Sequence, residues 1–208
     1  KEILLVGMAR SGIAAAELLQ KHGATAVLND RKKESEFGTD LDGLKAIGCE
    51  FRLGEDPVAL LKEVDGLVIS PGVPITAPVV TTAKTLGIPV VGEMELAASL
   101  LSSSYVAISG TNGKTTTTTI VYELLKKAFK EKALVGGNIG TPLCELVLDH
   151  DLMHQEGYYI SLEISNHQLV DIDRFRPQIA TIINLTPDHL ETMGSLDAYY
   201  KSKTEVYR

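Results

Sequence analysis

The sequence predicts an α/β chain made of two consecutive parallel-sheet domains. Three observations predict it. Short apolar runs alternate with helix-like stretches along all 208 residues, Ser102-Ser103-Ser104 breaks the alternation once, and each half opens with an apolar strand that runs into a Gly-bearing turn and a helix start. The expected domains are residues 1–101 and 105–208.

In the first half, Ile3–Val6, Ala26–Leu28, Gly66–Ile69 and Pro89–Val91 read as strands, with helices over Ile13–Gln20 and Val58–Val64. The second half reads as a strand (Tyr105–Ser109), a helix (Thr115–Phe129), a strand (Lys132–Val135), a turn (Gly136–Gly140) and a helix (Pro142–Leu148). Strands near Tyr158–Leu162 and over Ile179–Asn184 follow, then a last helix from Ser195. Ligands of such sheets gather beyond the carboxyl ends of the strands. Lys114, Asn138, Glu163 and Asn184 all fall there and are expected to share one pocket.

Composition narrows the function classes. Apolar residues make up 44% of the chain, enough for two cores, while a net charge of −7 argues against a general nucleic-acid binder, which needs a basic surface. Cys49 and Cys144 lie far apart with no metal-ligand spacing, which suits a reducing cytosol better than a disulfide framework. The first apolar run is too short for a signal peptide, and no later run would span a bilayer, so a soluble, cytoplasmic protein is expected. The chain starts without Met and stops at Arg208 inside an expected helix, as a piece of something longer would.

Gly110-Thr111-Asn112-Gly113-Lys114-Thr115 carries the chemistry of the second half. A strand, a Gly-bearing turn and a helix start place backbone N–H groups and the positive end of a helix dipole around one anion. Lys114 can reach terminal phosphates, and the Thr115 hydroxyl can join the shell of a magnesium ion. The usual G-x-x-x-x-G-K-[ST] pattern wants its first Gly where this chain has Ile108, so the cradle is a shortened one. A Gly-rich turn ahead of the β-branched run Thr115–Thr119 is the bland alternative. Glu163, at a strand exit, is a candidate magnesium ligand or an ordinary strand-end Glu. His189 follows a polar turn in which Asp188 can cap the next helix; alone, it would more often be structural. Lys203 would by default be a solvated helix lysine.

Gly7-Met8-Ala9-Arg10-Ser11-Gly12 opens the first helix. A dinucleotide fingerprint would need Gly at Ala9, although Asp30 lies at about the right distance for a ribose-binding acid. A nicotinamide-dependent oxidoreductase and an empty helix entry both stay open on this motif.

Together, GTNGKTTTTT, GGNIG (Gly136–Gly140), LEISNHQL (Leu162–Leu169) and NLTPDHL (Asn184–Leu190) resemble the Mur ligases of peptidoglycan synthesis. GMARSG, the SPG at Ser70-Pro71-Gly72 and GEMELA (Gly92–Ala97) look most like the branch that adds D-glutamate. The resemblance implies a Rossmann-like UDP-binding domain followed by a P-loop ATPase-like central domain, incomplete here, with the family's C-terminal domain absent. It implies an ATP-dependent carbon–nitrogen ligase: ATP phosphorylates the carboxylate of UDP-N-acetylmuramoyl-L-alanine, and the amine of D-glutamate attacks the resulting acyl phosphate.

Residue by residue, the resemblance gives ATP binding to Gly110, Thr111, Asn112, Gly113, Lys114, Thr115 and Thr116. Two Mg2+ sites are implied, Thr115 and Glu163 holding one and His189 lying near the second. Lys203 aligns with a lysine that carbon dioxide carbamylates, joining the metal set, so that Lys114, His189 and Lys203 are the expected catalytic residues. For the UDP substrate it implies Arg10 and Ser11 at the diphosphate, Asn29, Asp30 and Arg31 beside uracil, and Ser70, Pro71 and Gly72 closing the pocket. Asn138 and Ser165 would meet the muramoyl-alanine end. The chain departs from the family at Ser165-Asn166-His167-Gln168, where Ser-Ser-Phe-Gln is usual, and a His there resembles the ligase that adds the third residue. The alternatives are therefore a different acceptor amino acid, or a non-catalytic piece that only captures a UDP-sugar. The expected protein is a monomer with no nucleic-acid or membrane partner, and this piece alone is expected not to turn over.

Overall fold

The structure, a computed structural model, describes residues 1–37, 41–169, 172–186 and 196–207. It divides into two compact units, Lys1–Leu96 and Ala97–Arg208.

The first unit runs β1 (Glu2–Val6), α1 (Arg10–Lys21), β2 (Thr25–Asn29), α2 (Asp42–Ala46), β3 (Glu50–Phe51), α3 (Pro57–Leu60), β4 (Gly66–Ile69), α4 (Pro78–Thr85), β5 (Val90–Gly92) and the start of α5 (Glu93–Ala98). Among the described residues its sheet is parallel, in the order β3-β2-β1-β4-β5. That is the strand order of a doubly wound dinucleotide-type fold, whose switch point lies between β1 and β4. A parallel sheet is covered on both faces, so its central strands must be apolar throughout. Leu4, Leu5 and Leu28 accordingly have no exposed surface. Leu4, Val27 and Leu67 pack with Leu60, Leu61, Val79, Val80 and Ala83 into one cluster. α1 buries Gly12, Ala14, Ala15 and Ala16, small residues that let the helix lie close, together with Leu18 and Leu19.

Two expectations need correction here. The helix over Val58–Val64 is a single α turn, Pro57–Leu60, followed by a 3₁₀ turn, Leu61–Glu63. Pro57 fixes the first helical position and Asp56 caps it by accepting from the Val58 N–H, whereas the apolar spacing alone showed no start. The short elements α2, β3, α4 and α5 were not foreseen, although Pro78 ahead of Val79, Val80 and Ala83 is a usable helix signal.

The second unit runs β6 (Ser104–Ser109), α6 (Lys114–Phe129), β7 (Ala133–Gly137), α7 (Leu143–Asp149), β8 (Tyr159–Glu163), β9 (Ile179–Ile182) and α8 (Leu196–Thr204). Its strands pair in parallel in the order β7-β8-β6-β9 among the described residues. β7 begins at Ala133 because Lys130–Lys132 form a 3₁₀ turn entered through Lys130 at φ 51°. β9 ends at Ile182, two residues before the expected Asn184, since the chain there turns over the end of β6. Ser161 of β8 donates to the Thr118 carbonyl at 2.8 Å and ties α6 to the sheet. At the other end, the Tyr105 ring meets Phe175 in a tilted contact at 5.1 Å between centroids while its hydroxyl accepts from the Arg176 N–H at 2.8 Å. Both cysteines are buried and neither is in a disulfide, and no helix among the described residues is long and apolar enough to cross a membrane.

A tight β1–α1 joint depends on Gly12, where a methyl group would come within 2.0 Å of the Gly7 carbonyl oxygen and 2.8 Å of the Ser70 hydroxyl. Gly12→Ala should therefore destabilise the first unit by about 1–3 kcal/mol. Urea unfolding measures this, and a change inside about 0.5 kcal/mol would contradict the packing.

Candidate functional site

The first unit's turn lies where β1 ends. Gly7 takes φ 96°, which a side chain tolerates poorly, and so begins the bend that Ala9 and Arg10 carry into α1. The turn is held from both neighbouring strands. Asp30, just past β2, accepts from the Met8 N–H at 2.9 Å and from the Lys32 N–H at 3.0 Å, while Ser70, just past β4, donates to the Gly7 carbonyl at 2.7 Å. Asn29 is only 2% exposed, and its amide donates to the carbonyls of Arg52 and Glu55 at 2.6 and 3.1 Å. The side chains of Asp30 and Ser70 therefore shape the turn and that of Asn29 ties down the segment after β3, whereas Arg10, Arg31 and Gly72 are exposed and Ser11 and Pro71 half-buried. No side chain caps α1 and its first turn carries no acidic residue, so its leading N–H groups suit an anion.

In the second unit the parallel ladders bring four strand ends together. Ile108 pairs with Glu163, Gly137 pairs with Glu163 from the other side, and Ser109 pairs with Ile182. The loop Gly110–Gly113 leaves β6 at this edge, and α6 starts at Lys114 with Gly113 in the left-handed region at φ 79°. Again no side chain caps the helix and no acidic residue sits in its first turn.

Glu163 is 2% exposed, and its two carboxylate oxygens accept from the Thr115 hydroxyl at 2.8 Å and from the Asn138 amide at 2.9 Å. Both donors are neutral. A buried carboxylate compensated by neutral donors alone is costly, and a hard cation held between its oxygen and a hydroxyl would relieve that cost. The donor set of Thr115 and Glu163 therefore fits Mg2+, although no group of three His, Cys, Asp or Glu side chains forms among the described residues.

Lys114 folds back so that its ammonium donates to the carbonyls of Gly110 and Thr111, both at 3.0 Å. Lys203 comes to the same place from α8. It is 2% exposed and donates to the Gly110 carbonyl at 3.0 Å, while Lys201 on the same helix is exposed. The structure thus brings Lys114 and Lys203 onto one carbonyl, with Thr115, Glu163 and Asn138 linked side by side. Ser165 lies on the turn after Glu163, where its N–H and hydroxyl both donate to Gln168. Thr116 is exposed on the first turn of α6. His189 lies outside the described residues.

Asn184 is the residue whose place in the loop the sequence did not reveal. Its side-chain oxygen accepts from the N–H groups of Thr111 and Asn112 at 3.1 and 2.9 Å, and its amide donates to the Asn112 carbonyl at 2.7 Å. Strand-end position was the one available signal; hydrogen bonding across 72 residues leaves no spacing to read.

Comparison with known proteins matches the two units to two families in succession. Residues 1–92 match the family described as Mur ligase MurD-like, N-terminal domain, and residues 108–208 match the Mur ligase middle domain. The chain belongs to the Mur ligase family. It is 41% identical over 207 residues to the UDP-N-acetylmuramoylalanine–D-glutamate ligase of Koribacter versatilis and 42% identical over 211 residues to that of Pelotomaculum thermopropionicum. All of this Mur ligase chain is covered in both cases, but only 45% and 44% of those relatives, so it spans less than half of their length. Among solved structures it is similar to the UDP-N-acetylmuramate:L-alanyl-gamma-D-glutamyl-meso-diaminopimelate ligase of Neisseria meningitides, with a TM-score of 0.57 at 20% identity over 99% of this chain and 67% of that one. The UDP-N-acetylmuramate-alanine ligase MurC of Thermotoga maritima gives a TM-score of 0.54 at 20% identity, over 99% of this chain and 46% of that one. These two likenesses carry the fold, and the two-unit α/β architecture is the one expected from the sequence.

The loop leaves no room for a side chain at Gly110, where φ is 148° and a methyl group would sit 2.6 Å from Cγ1 of Ile183. Gly110→Ala should cost about 1–3 kcal/mol of stability. Guanidinium unfolding of the two proteins would show it, and equal midpoints would refute the crowding.

Proposed function

We propose that this chain is the substrate-UDP and nucleotide-phosphate part of an ATP-dependent ligase that adds D-glutamate to UDP-N-acetylmuramoyl-L-alanine in the cytoplasm, acting as a monomer. The single observation that carries the reading is the 2.8 Å hydrogen bond from the Thr115 hydroxyl to the buried Glu163 carboxylate, set at the start of α6 beside Lys114. The relatives' printed names supply the acceptor, D-glutamate.

The chemical difficulty is that a carboxylate must approach a triphosphate, so that two anions meet before either bond changes. Bound at Thr115 and Glu163, Mg2+ would supply charge neutralisation on the phosphate oxygens. The chain's own groups do the rest. N–H groups at the start of α6 hold the phosphates, and Lys114 leaves the Gly110 carbonyl to follow the transferred phosphoryl group. A substrate carboxylate oxygen attacks the γ-phosphorus and ADP departs. The D-glutamate nitrogen then attacks the acyl carbon, loses a proton, and phosphate leaves as the amide forms.

Asn138 and Ser165 are assigned to the muramoyl-alanine end, Arg10, Ser11, Asn29, Asp30, Arg31, Ser70, Pro71 and Gly72 to the UDP end, and His189 to the surroundings of a second Mg2+. Asp30 enters that assignment through the turn it holds in place, and Asn29 through the segment after β3 that it ties at Arg52 and Glu55. Lys203 is assigned the carbamate role: its neutral amine bonds to the carbon of CO2 and sheds a proton, turning a cation that repels a metal into an anion that attracts one. Its burial against Gly110, in contrast to exposed Lys201, supports choosing it over its neighbour.

Phosphate release by the full-length protein should need UDP-N-acetylmuramoyl-L-alanine and D-glutamate together; turnover with another amino acid in place of D-glutamate would sink the acceptor assignment. Lys203→Ala should lower kcat by about a hundredfold or more, with partial recovery in added short-chain carboxylate. An unchanged rate would remove the carbamate.

A further inference from the structure

The shortened phosphate loop raises a question of what holds its shape. Position 108, where the longer pattern puts a glycine, is Ile108 with no exposed surface, paired in the ladder with Glu163. Only Gly110, Thr111, Asn112 and Gly113 separate β6 from α6. So short a loop has few amides to divide between a phosphate and the rest of the protein.

The missing support comes from the chain beyond β9. The Asn184 carboxamide meets the Thr111–Asn112 peptide as a neighbouring strand would, accepting from both N–H groups at 3.1 and 2.9 Å and donating to the Asn112 carbonyl at 2.7 Å. The Thr111 N–H also reaches the Asn184 backbone carbonyl at 3.2 Å. Two residues on, Thr186 completes the clasp: its N–H donates to the Thr111 hydroxyl at 3.0 Å, and that hydroxyl donates to the Thr186 carbonyl at 3.1 Å. Thr111 and Asn112 thus give their N–H groups to protein, and the anion-binding edge of the loop narrows to the N–H groups of Gly113 and the first turn of α6. The Thr117 N–H bonds to the Gly113 carbonyl, so the helix ladder begins directly behind that edge.

We propose that Asn184 is a positioning residue for the triphosphate. It does not touch the phosphates. It fixes the Thr111–Asn112 peptide so that Gly113 can turn left-handed and Lys114 and the α6 N-terminus are aimed before the nucleotide arrives, a role that rests on the nucleotide reading above. Preorganised donors lose less freedom on binding than donors that must be gathered, so a loosened loop costs affinity for the phosphates. The UDP end of the substrate, assigned to the first unit, has no part in the clasp.

Kinetics of the full-length ligase with Asn184→Ala test this. The KM for ATP should rise about tenfold, equivalent to about 1.4 kcal/mol, while the KM for UDP-N-acetylmuramoyl-L-alanine stays within twofold. Asn184→Asp keeps the shape and both acceptor contacts, and serves if the alanine variant does not fold. Its carboxylate should raise the KM for ATP at low salt, with the excess shrinking as ionic strength rises. Solvent exchange of the Asn112 amide, followed by NMR on this chain, should speed up at least tenfold in Asn184→Ala. Folded variants whose KM for ATP is unchanged, or whose two KM values rise together, would overturn the proposal alone. Absence of ATP-dependent phosphate release from the unaltered ligase would overturn the nucleotide reading and this proposal with it.

Discussion

The parallel pairing of β6 with β8 on one side and β9 on the other is the constraint on which the second unit's site depends. Parallel strands all release the chain at the same edge, and each must be followed by a crossover before the next can start. That topology puts the start of α6, Glu163 and Asn184 at one edge without any contact between them being needed to hold the sheet. Register then decides chemistry. Glu163 lies opposite both Ile108 and Gly137, and a slip of one residue in β8 would turn its side chain to the opposite face of the sheet.

At such an edge the sheet ladder stops and backbone groups lose their partners, so side chains from strand ends take over. Asn29 serves two carbonyls, Asp30 two N–H groups, and Ser70 the Gly7 carbonyl. The residues a motif marks as ligand-binding therefore divide into those that hold the backbone and those that face outward. Asn29 is committed to the first task, and Arg10 and Arg31 are exposed for the second.

This division explains what the sequence could and could not reveal. Strands β1, β2, β4, β6 and β8 were legible because a strand buried on both faces must be a continuous apolar run. The loop at Gly110–Lys114 was legible because glycine and lysine at those spacings have a mechanical reason to be there. The two-residue strand Glu50–Phe51 gave no periodicity to detect, and α2 has one buried residue, Leu44. Lys203 could not be told from Lys201 by residue type, since only the rotation of α8 turns one inward. The clasp from Asn184 was hidden for a different reason: its partners are backbone atoms, which every residue has, so no complementary residue type marks them.

The two units show the same device with one difference. In each, a glycine that the usual nucleotide pattern requires is missing, at Ala9 in the first turn and at Ile108, near the end of β6, in the second. In each, a side chain just past a neighbouring strand accepts from the turn's amides: Asp30 from Met8, Asn184 from Thr111 and Asn112. A carboxylate makes the stronger, charge-assisted bond. It also leaves a negative charge at the mouth of the turn, worth about 1–4 kcal/mol against another unit charge some 4 Å away, depending on local dielectric. On the proposed function the first turn meets a diphosphate flanked by sugars, with Arg10 and Arg31 exposed to meet its charge. The second must admit a triphosphate and a substrate carboxylate next to Glu163, where a further fixed anion would oppose the approach. A neutral carboxamide at 184 gives the loop the same acceptor geometry without that charge, and it adds a donor to the Asn112 carbonyl that a carboxylate lacks.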